Sequence, residues 1–233
     1  MPTLPTGRLT RKQIVDLALR RAGNTQLAAA PNYDAQTWLN QILYDLAVEW
    51  SWPTLMTTTT VAITGPTFSL PTDFLKAQDD AGLILTTING GSQRVFVDEV
   101  DRYTFEVAQP TNVGTGGFPR IWHADRNAGF GRVFPDPTGN TIVAQLRYQQ
   151  LPSDIAVDTS GDSMIPWFPW PWYLVQDLFV RTLEFEADGR AGPERDRANA
   201  MLEKVRQAAK PLRAQEPVIP LDPQVFGTPF VRD

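Results

Sequence analysis

The chain lacks cysteine and contains a single histidine, His123, which narrows the chemistry open to it. Without cysteine there are no disulfides, thiol nucleophiles or thiolate metal ligands. One imidazole cannot form a histidine metal cluster, and a serine–histidine hydrolase would have to use His123 itself. We therefore expect no catalytic residues, no metal site and no cofactor, and we predict that the protein is not an enzyme.

Long apolar runs and an excess of positive charge are also missing. No apolar run approaches the ~20 residues of a membrane helix, and the N-terminus lacks the apolar core of a signal peptide. From this we expect no membrane contact and a product that stays in the cytoplasm where it is made. The formal net charge of −5 argues against a dedicated DNA-binding surface, because such surfaces usually carry a basic excess.

Four stretches carry helical periodicity. The clearest is residues 34–50, where apolar side chains recur at spacings of one, three and four. A capping box of Thr10 and Gln13 starts an earlier helix, which Gly23 ends. Two more helices are predicted at about residues 170–188 and 193–210. The first of these has an apolar stripe of Leu174, Val175, Leu178, Phe179, Thr182 and Phe185.

Between the second and third helices the pattern is typical of β-strands. Strands are predicted at about residues 57–64, 83–88, 94–97, 120–124, 132–134 and 142–148. The predicted fold is therefore α+β, an antiparallel helical bundle of two N-terminal and two C-terminal helices interrupted by a β-rich insertion. The predicted domains are residues 1–53 with 165–210 for the bundle, 54–164 for the insertion and 211–233 for an extended proline-rich tail.

Two apolar segments favour contacts with a neighbour. The tail cannot build a core of its own, so we expect its apolar residues to dock on a partner. These residues are Val218, Ile219, Leu221, Val225, Phe226, Phe230 and Val231. The string at residues 167–172, WFPWPW, contains no Lys or Arg. A subunit or domain junction formed by Trp167, Phe168, Trp170 and Trp172 and an ordinary core are equally favoured interpretations.

Other motifs with possible chemistry have simpler explanations. A glycosidase needs two carboxylates, and none of the available acids has an apolar sequence setting that would raise its pKa. These acids are Asp73, Asp79, Asp80, Glu99 and Asp101. Residues 158–162 alternate oxygen ligands as a calcium loop does, but Pro169 stands where a bidentate acid is expected. A solvated surface and a polar turn are the favoured interpretations.

Several motifs, taken in order, resemble the head-to-tail adaptor (connector) proteins of tailed bacteriophages, especially those of short-tailed and related phages. The motifs are RKQIVDLALRRAG at residues 11–23, LN to WSW at 39–52, FSLPTDF at 68–74, GFP at 117–119, FPDP at 134–137, LRY at 146–148 and DSMIP at 162–166. The resemblance covers about residues 10–210.

The resemblance implies a structural virion protein at the head–tail interface. About twelve copies would form a ring beneath the portal protein, and DNA would pass through the lumen without specific binding. The implied partners are the portal and the tail (nozzle or tail-tube) proteins, with the C-terminal segment packing on the portal. Two alternatives stay open. One is a tail-associated peptidoglycan hydrolase, for which Asp73, Asp80 and Glu99 are the first residues to mutate, and the other is a different tail-completion ring protein.

Overall fold

The computed structural model describes residues 7–23, 33–78, 82–108 and 117–209. The helices are α1 (Arg11–Ala22), α2 (Tyr33–Glu49), α3 (Arg102–Ala108), α4 (Pro171–Phe185) and α5 (Ala191–Ala209). The strands are β1 (Met56–Ile63), β2 (Thr67–Ser69), β3 (Phe74–Ala77), β4 (Leu83–Ile88), β5 (Gly91–Glu99), β6 (Ile121–Asp125), β7 (Phe130–Phe134) and β8 (Ile142–Gln150).

Local sequence signals account for the ends of the first helix. The Thr10 hydroxyl accepts a hydrogen bond from the Gln13 backbone N–H at 3.3 Å, and the Gln13 side chain accepts one from the Thr10 N–H at 2.9 Å. This is the predicted capping box. Gly23 ends the helix with a φ of 91°, a left-handed conformation that glycine adopts without strain.

Helices α1, α2, α4 and α5, which we call the helical layer, share one apolar core. Helix α4 lies at its centre and packs against the other three. Leu174, Leu178 and Leu183 of α4 are fully buried in this core. Phe185, predicted on the same stripe, is the last residue of the helix and is 72% exposed, with its ring centroid 5.3 Å from that of Trp38.

The eight strands form one curved, nearly closed, barrel-like sheet with the order β1-β8-β4-β5-β6-β7-β2, and β3 also pairs with β8. Strands β1 and β2 lie at the two ends of this order, although residues 64–66 alone join them. Such a short connection requires that the two ends of the sheet lie close together. The sheet therefore curls around its own core, in which Leu83, Trp122, Ile142 and Leu146 are fully buried.

A glycine allows close packing near this closure. Gly131 of β7 pairs with Phe68 of β2, and the Phe68 ring lies over the glycine. A Cβ at position 131 would come within 2.3 Å of that ring. Glycine is therefore needed here for the ring to pack against the strand.

The predicted fold class, a helical bundle interrupted by a β-rich insertion, is wrong. The strands build a nearly closed sheet with its own apolar core, and the sheet is mixed because β5 and β6 are parallel. Sequence periodicity indicates single strands but does not reveal which strands pair. Strand β3, only four residues long, was missed for the same reason, since its partner β8 lies far along the chain.

The predicted domain division stays a prediction. Its last part, residues 211–233, lies outside the described residues.

Candidate functional site

Trp52 is the centre of an aromatic cluster formed with the WFPWPW string. Its side chain is 1% exposed, and its ring centroid lies 5.0 Å from that of Phe168 and 6.1 Å from those of Trp167 and Trp170. The Trp52 indole N–H donates to the carbonyl of Leu46. The structure therefore brings three of the four predicted junction residues together around a tryptophan that follows α2.

The fourth predicted residue, Trp172, lies apart from this cluster. It occupies the first turn of α4 and is 59% exposed. Tryptophan is one of the residue types enriched at protein–protein interfaces, and Trp172 presents its ring on the surface. The junction role of all four residues stays a prediction.

Gln149 of β8 joins the sheet to the helical layer, and sequence analysis missed it. Its side-chain oxygen accepts the Trp52 backbone N–H at 3.1 Å, and its side-chain nitrogen donates to the Ala47 carbonyl at 2.6 Å. The side chain is fully buried, so both polar ends depend on these partners. The available signal was the position of Gln149 near the end of β8, a strand in which buried apolar residues otherwise alternate with less buried ones.

Arg11 is a second buried connection that the sequence did not reveal. Its side chain is 1% exposed at the start of α1, and it donates to the Gln36 side chain at 3.1 Å and to the Asp158 carbonyl at 2.8 Å. It also donates to the Ala156 carbonyl and forms an ion pair with the Asp162 carboxylate. One guanidinium thus holds the loop before α4 against α1.

Arg11 also contacts residues 158–162, the segment compared above with a calcium-binding loop. The Asp162 carboxylate and the Asp158 carbonyl bind a guanidinium. The Asp158 carboxylate accepts hydrogen bonds from the hydroxyl and N–H of Ser160, which lower the pKa of Asp158. The loop is a polar turn organised by Arg11. Among the described residues, no group of three or more His, Cys, Asp or Glu is placed to hold a metal ion.

Asp177 of α4 is a buried carboxylate enclosed by arginines. It forms an ion pair with Arg195 of α5, and its other oxygen lies 3.6 Å from Nε of Arg181. Burial raises the pKa of Asp177, while the two arginines act in the opposite direction. Arg195 is also bonded to Glu184 at 2.7 Å, and Arg181 to Asp45 of α2 at 2.8 Å. This network connects three helices inside the helical layer.

Three of the carboxylates considered for glycoside hydrolysis, Asp73, Glu99 and Asp101, lie in the described part of the chain. Asp73 accepts a hydrogen bond from the Tyr148 hydroxyl at 2.9 Å, and burial together with this bond raises the pKa of Tyr148 to about 12. Glu99 and Asp101 line an open cleft with His123, whose Nδ1 lies 3.1 Å from the Val100 carbonyl. The Thr104 backbone N–H lowers the pKa of Asp101, which is opposite to what a general acid needs. Asp79 and Asp80 lie outside the described residues.

Most of strand β5 is paired on one side only, although the strand lies in the middle of the sheet order. Residues 91–97 pair with β4 along one edge, whereas the recorded pairing with β6 involves Asp98 and Glu99. Across the described residues, no strand pairs with the other edge of residues 91–97. Val95 and Phe96 are exposed on this strand, and the Arg94 guanidinium lies 5.5 Å from the centre of the Phe96 ring. An exposed edge of this kind is a ready surface for pairing with another chain.

An exposed strand edge and exposed aromatic residues beside a closed helical core are features of a protein that assembles with other proteins. No helix in the described ranges is long and apolar enough to span a membrane. The family model for the SU10 adaptor protein matches residues 9–220. The chain therefore belongs to this family of bacteriophage adaptor proteins, and the predicted resemblance is confirmed. As a phage structural adaptor, the protein is a component of the virion. A comparison with curated proteins found no match.

Proposed function

We propose that this adaptor forms a ring between the portal and the tail of the virion, with DNA passing through the lumen. The observation that carries the proposal is the family match, which extends over residues 9–220. The proposed partners are the portal protein above and a nozzle or tail-tube protein below, with about twelve copies per ring. The role is structural and involves no catalytic step, and the protein is made in the host cytoplasm before assembly.

The unpaired edge of β5 supports assembly into a ring. A closed ring of identical chains needs a contact between two different surfaces of neighbouring copies. Among the described residues, the edge of residues 91–97 of β5 that has no strand partner supplies one such surface. We place the β5 edge, with Val95 and Phe96, at the contact between neighbours.

The negative charge supports a lumen through which DNA slides. The formal net charge is −5. Since sequence-independent DNA affinity comes mainly from phosphates neutralised by Lys and Arg, an acidic chain is suited to letting DNA pass without holding it.

The portal contact is assigned to the C-terminal tail. Its proposed docking residues are Val218, Ile219, Leu221, Val225, Phe226, Phe230 and Val231, all outside the described residues. An apolar, proline-rich segment that cannot form a core gains stability by packing on a partner.

Sedimentation of the purified protein with the portal from the same phage tests the proposal. We expect the full chain to co-migrate with the portal in a fixed ratio, and a variant lacking residues 211–233 to keep its fold but run separately from the portal. Normal portal binding by the truncated variant would refute the role of the tail. Clearing of peptidoglycan in a zymogram would refute the purely structural role.

Ring formation is tested by placing charge on β5. Val95→Lys with Phe96→Lys puts two like charges on each copy at the proposed contact, so we expect assembly to be lost while the monomer stays folded. Asn199→Lys with Gln207→Lys adds the same charge at exposed positions of α5 and serves as the control. Equal assembly by the two variants would contradict the β5 contact.

A further inference from the structure

An apolar groove lies where the start of α4 meets the end of α5. It has a volume of about 390 Å³, and Trp170, Trp172 and Tyr173 form one wall while Met201, Lys204 and Val205 form the other. Pro169 and Pro171 alternate with the tryptophans in the first wall. The Trp172 side chain is largely exposed, so this groove presents aromatic faces to whatever lies beside it.

The tail contains a segment with matching chemistry. Residues 217–223 read PVIPLDP, so proline occurs at every third position, at Pro217, Pro220 and Pro223. A polyproline II helix has three residues per turn, and in that conformation the three prolines share one face. Grooves lined by aromatic side chains are the usual binding sites for such segments. Tryptophan also supplies an indole N–H donor for the carbonyl groups of a proline-rich chain.

The groove lies within reach of the segment that follows α5. Val205 in the groove wall is followed by Ala209, the last residue of α5, about one helical turn later. Eight residues then lead from Ala209 to Pro217, enough to span up to about 26 Å in extended form. Charge is also complementary, because Asp222 stands between Pro220 and Pro223 while Lys204 is an exposed cation at the groove.

We infer that the groove formed by Trp170, Trp172, Tyr173, Met201 and Val205 binds the PVIPLDP segment of the same chain. The proline face packs on the tryptophans, and Asp222 faces Lys204. The contact fixes the first part of the tail against α5 and determines the direction in which the rest of the tail leaves the subunit.

This contact is compatible with portal docking and independent of it. Val225, Phe226, Phe230 and Val231 follow Pro223 and stay available for the portal, and Val218, Ile219 and Leu221 lie between the prolines on the other faces of the segment. Because the contact forms within one chain, its test uses the isolated protein. Its outcome does not depend on whether the portal binds.

Disulfide trapping in the full-length chain tests the contact, since the protein has no cysteine of its own. The test variant carries Met201→Cys in the groove and Gln224→Cys beyond Pro223. The control carries Asn199→Cys with Gln224→Cys, and Asn199 lies two residues from Met201 on nearly the opposite side of α5. We expect an intramolecular disulfide to form about tenfold faster in the test variant, because docking raises the local concentration of the two thiols.

Two further variants ask which interactions hold the segment. Trp172→Ala in the test variant is expected to slow the disulfide to the control rate without unfolding the protein, as the side chain is mostly exposed. Lys204→Glu is expected to slow it, and the added exchange Asp222→Lys is expected to restore it. Equal rates in the test and control variants overturn the inference. So does a disulfide that joins two copies, since the groove would then hold a neighbour's tail, or a rate unchanged by Trp172→Ala.

Discussion

The helical layer and the sheet are held together in different ways. Ion pairs connect the four helices of the layer, with Arg181 bonded to Asp45 at 2.8 Å, Arg206 to Glu49 at 2.6 Å and Arg21 to Glu194 at 3.3 Å. In the described part of the sheet the strands are joined mainly by backbone hydrogen bonds over an apolar core.

The two regions also differ in how their polar groups are paired. In the helical layer, polar side chains reach across helices and bind one another. In the sheet, residues 91–97 of β5 have one edge without a strand partner among the described residues. The helical layer is therefore joined internally by side-chain ion pairs, while β5 of the sheet keeps backbone groups that no described strand pairs with.

The largest expected effect of a single change is at the connection between the two regions. Trp52→Ala removes a fully buried ring that contacts Phe168, Trp167 and Trp170, and we expect the free energy of unfolding to fall by about 3–5 kcal/mol. Urea unfolding followed by far-UV circular dichroism measures this. Trp172→Ala removes the same ring from an exposed position and should cost less than about 1 kcal/mol. Similar losses in the two variants would show that Trp52 does not anchor the junction.

A somewhat smaller loss is expected at Arg11. Arg11→Met leaves the Ala156 and Asp158 carbonyls and the Asp162 carboxylate without their donor, which should lower the free energy of unfolding by about 2–4 kcal/mol. The neighbouring Lys12 also reaches Asp162, at 3.9 Å, but its side chain is exposed. Lys12→Met should therefore change stability by less than about 0.5 kcal/mol. If Lys12→Met proved as damaging as Arg11→Met, the buried geometry of Arg11 would not matter.

The smallest effect is a pH dependence of opposite sign at two aspartates, Asp177 of α4 and Asp188 in the connection between α4 and α5. Burial raises the pKa of Asp177 above 3.8, so the wild type loses stability relative to Asp177→Asn as the pH rises from 3.8 through the folded-state pKa. The side chain and backbone N–H of Arg190 lower the pKa of Asp188 to about 2. The wild type therefore gains stability relative to Asp188→Asn as the pH rises from about 2 to 3.8.

Unfolding free energies of the wild type and the two asparagine variants across this pH range measure both slopes. Slopes of the same sign for the two pairs would contradict the assignment of burial as the dominant influence on Asp177.

Much of the helical layer could be predicted from the sequence because its signals are local. The Thr10–Gln13 capping box, Gly23 and the buried stripe from Leu174 to Phe179 all act within a few residues of one another. The sheet was harder, since its closure depends on pairings such as Phe68 with Gly131 and Asp98 with Ile121, which no local pattern encodes.

The buried connections were unpredictable for a related reason. Gln149 meets Trp52 across 97 positions of sequence, and Arg11 meets Asp162 across 151. The sequence around Gln149 or Arg11 contains no motif from which its distant partner could be predicted. The exposed edge of β5 was equally hidden, because residues 91–97 have the sequence of an ordinary strand and their exposure depends on where β6 lies.

Hydrogen exchange of the β5 amides before and after assembly with the portal measures directly whether β5 forms the contact between copies. We expect amides in residues 91–97 to exchange at least about tenfold more slowly in the assembled complex, because a neighbouring copy covers the edge that no described strand pairs with. Unchanged exchange in residues 91–97, together with new protection on the outer faces of α2 or α5, would contradict it. The helical layer would then supply the contact between copies.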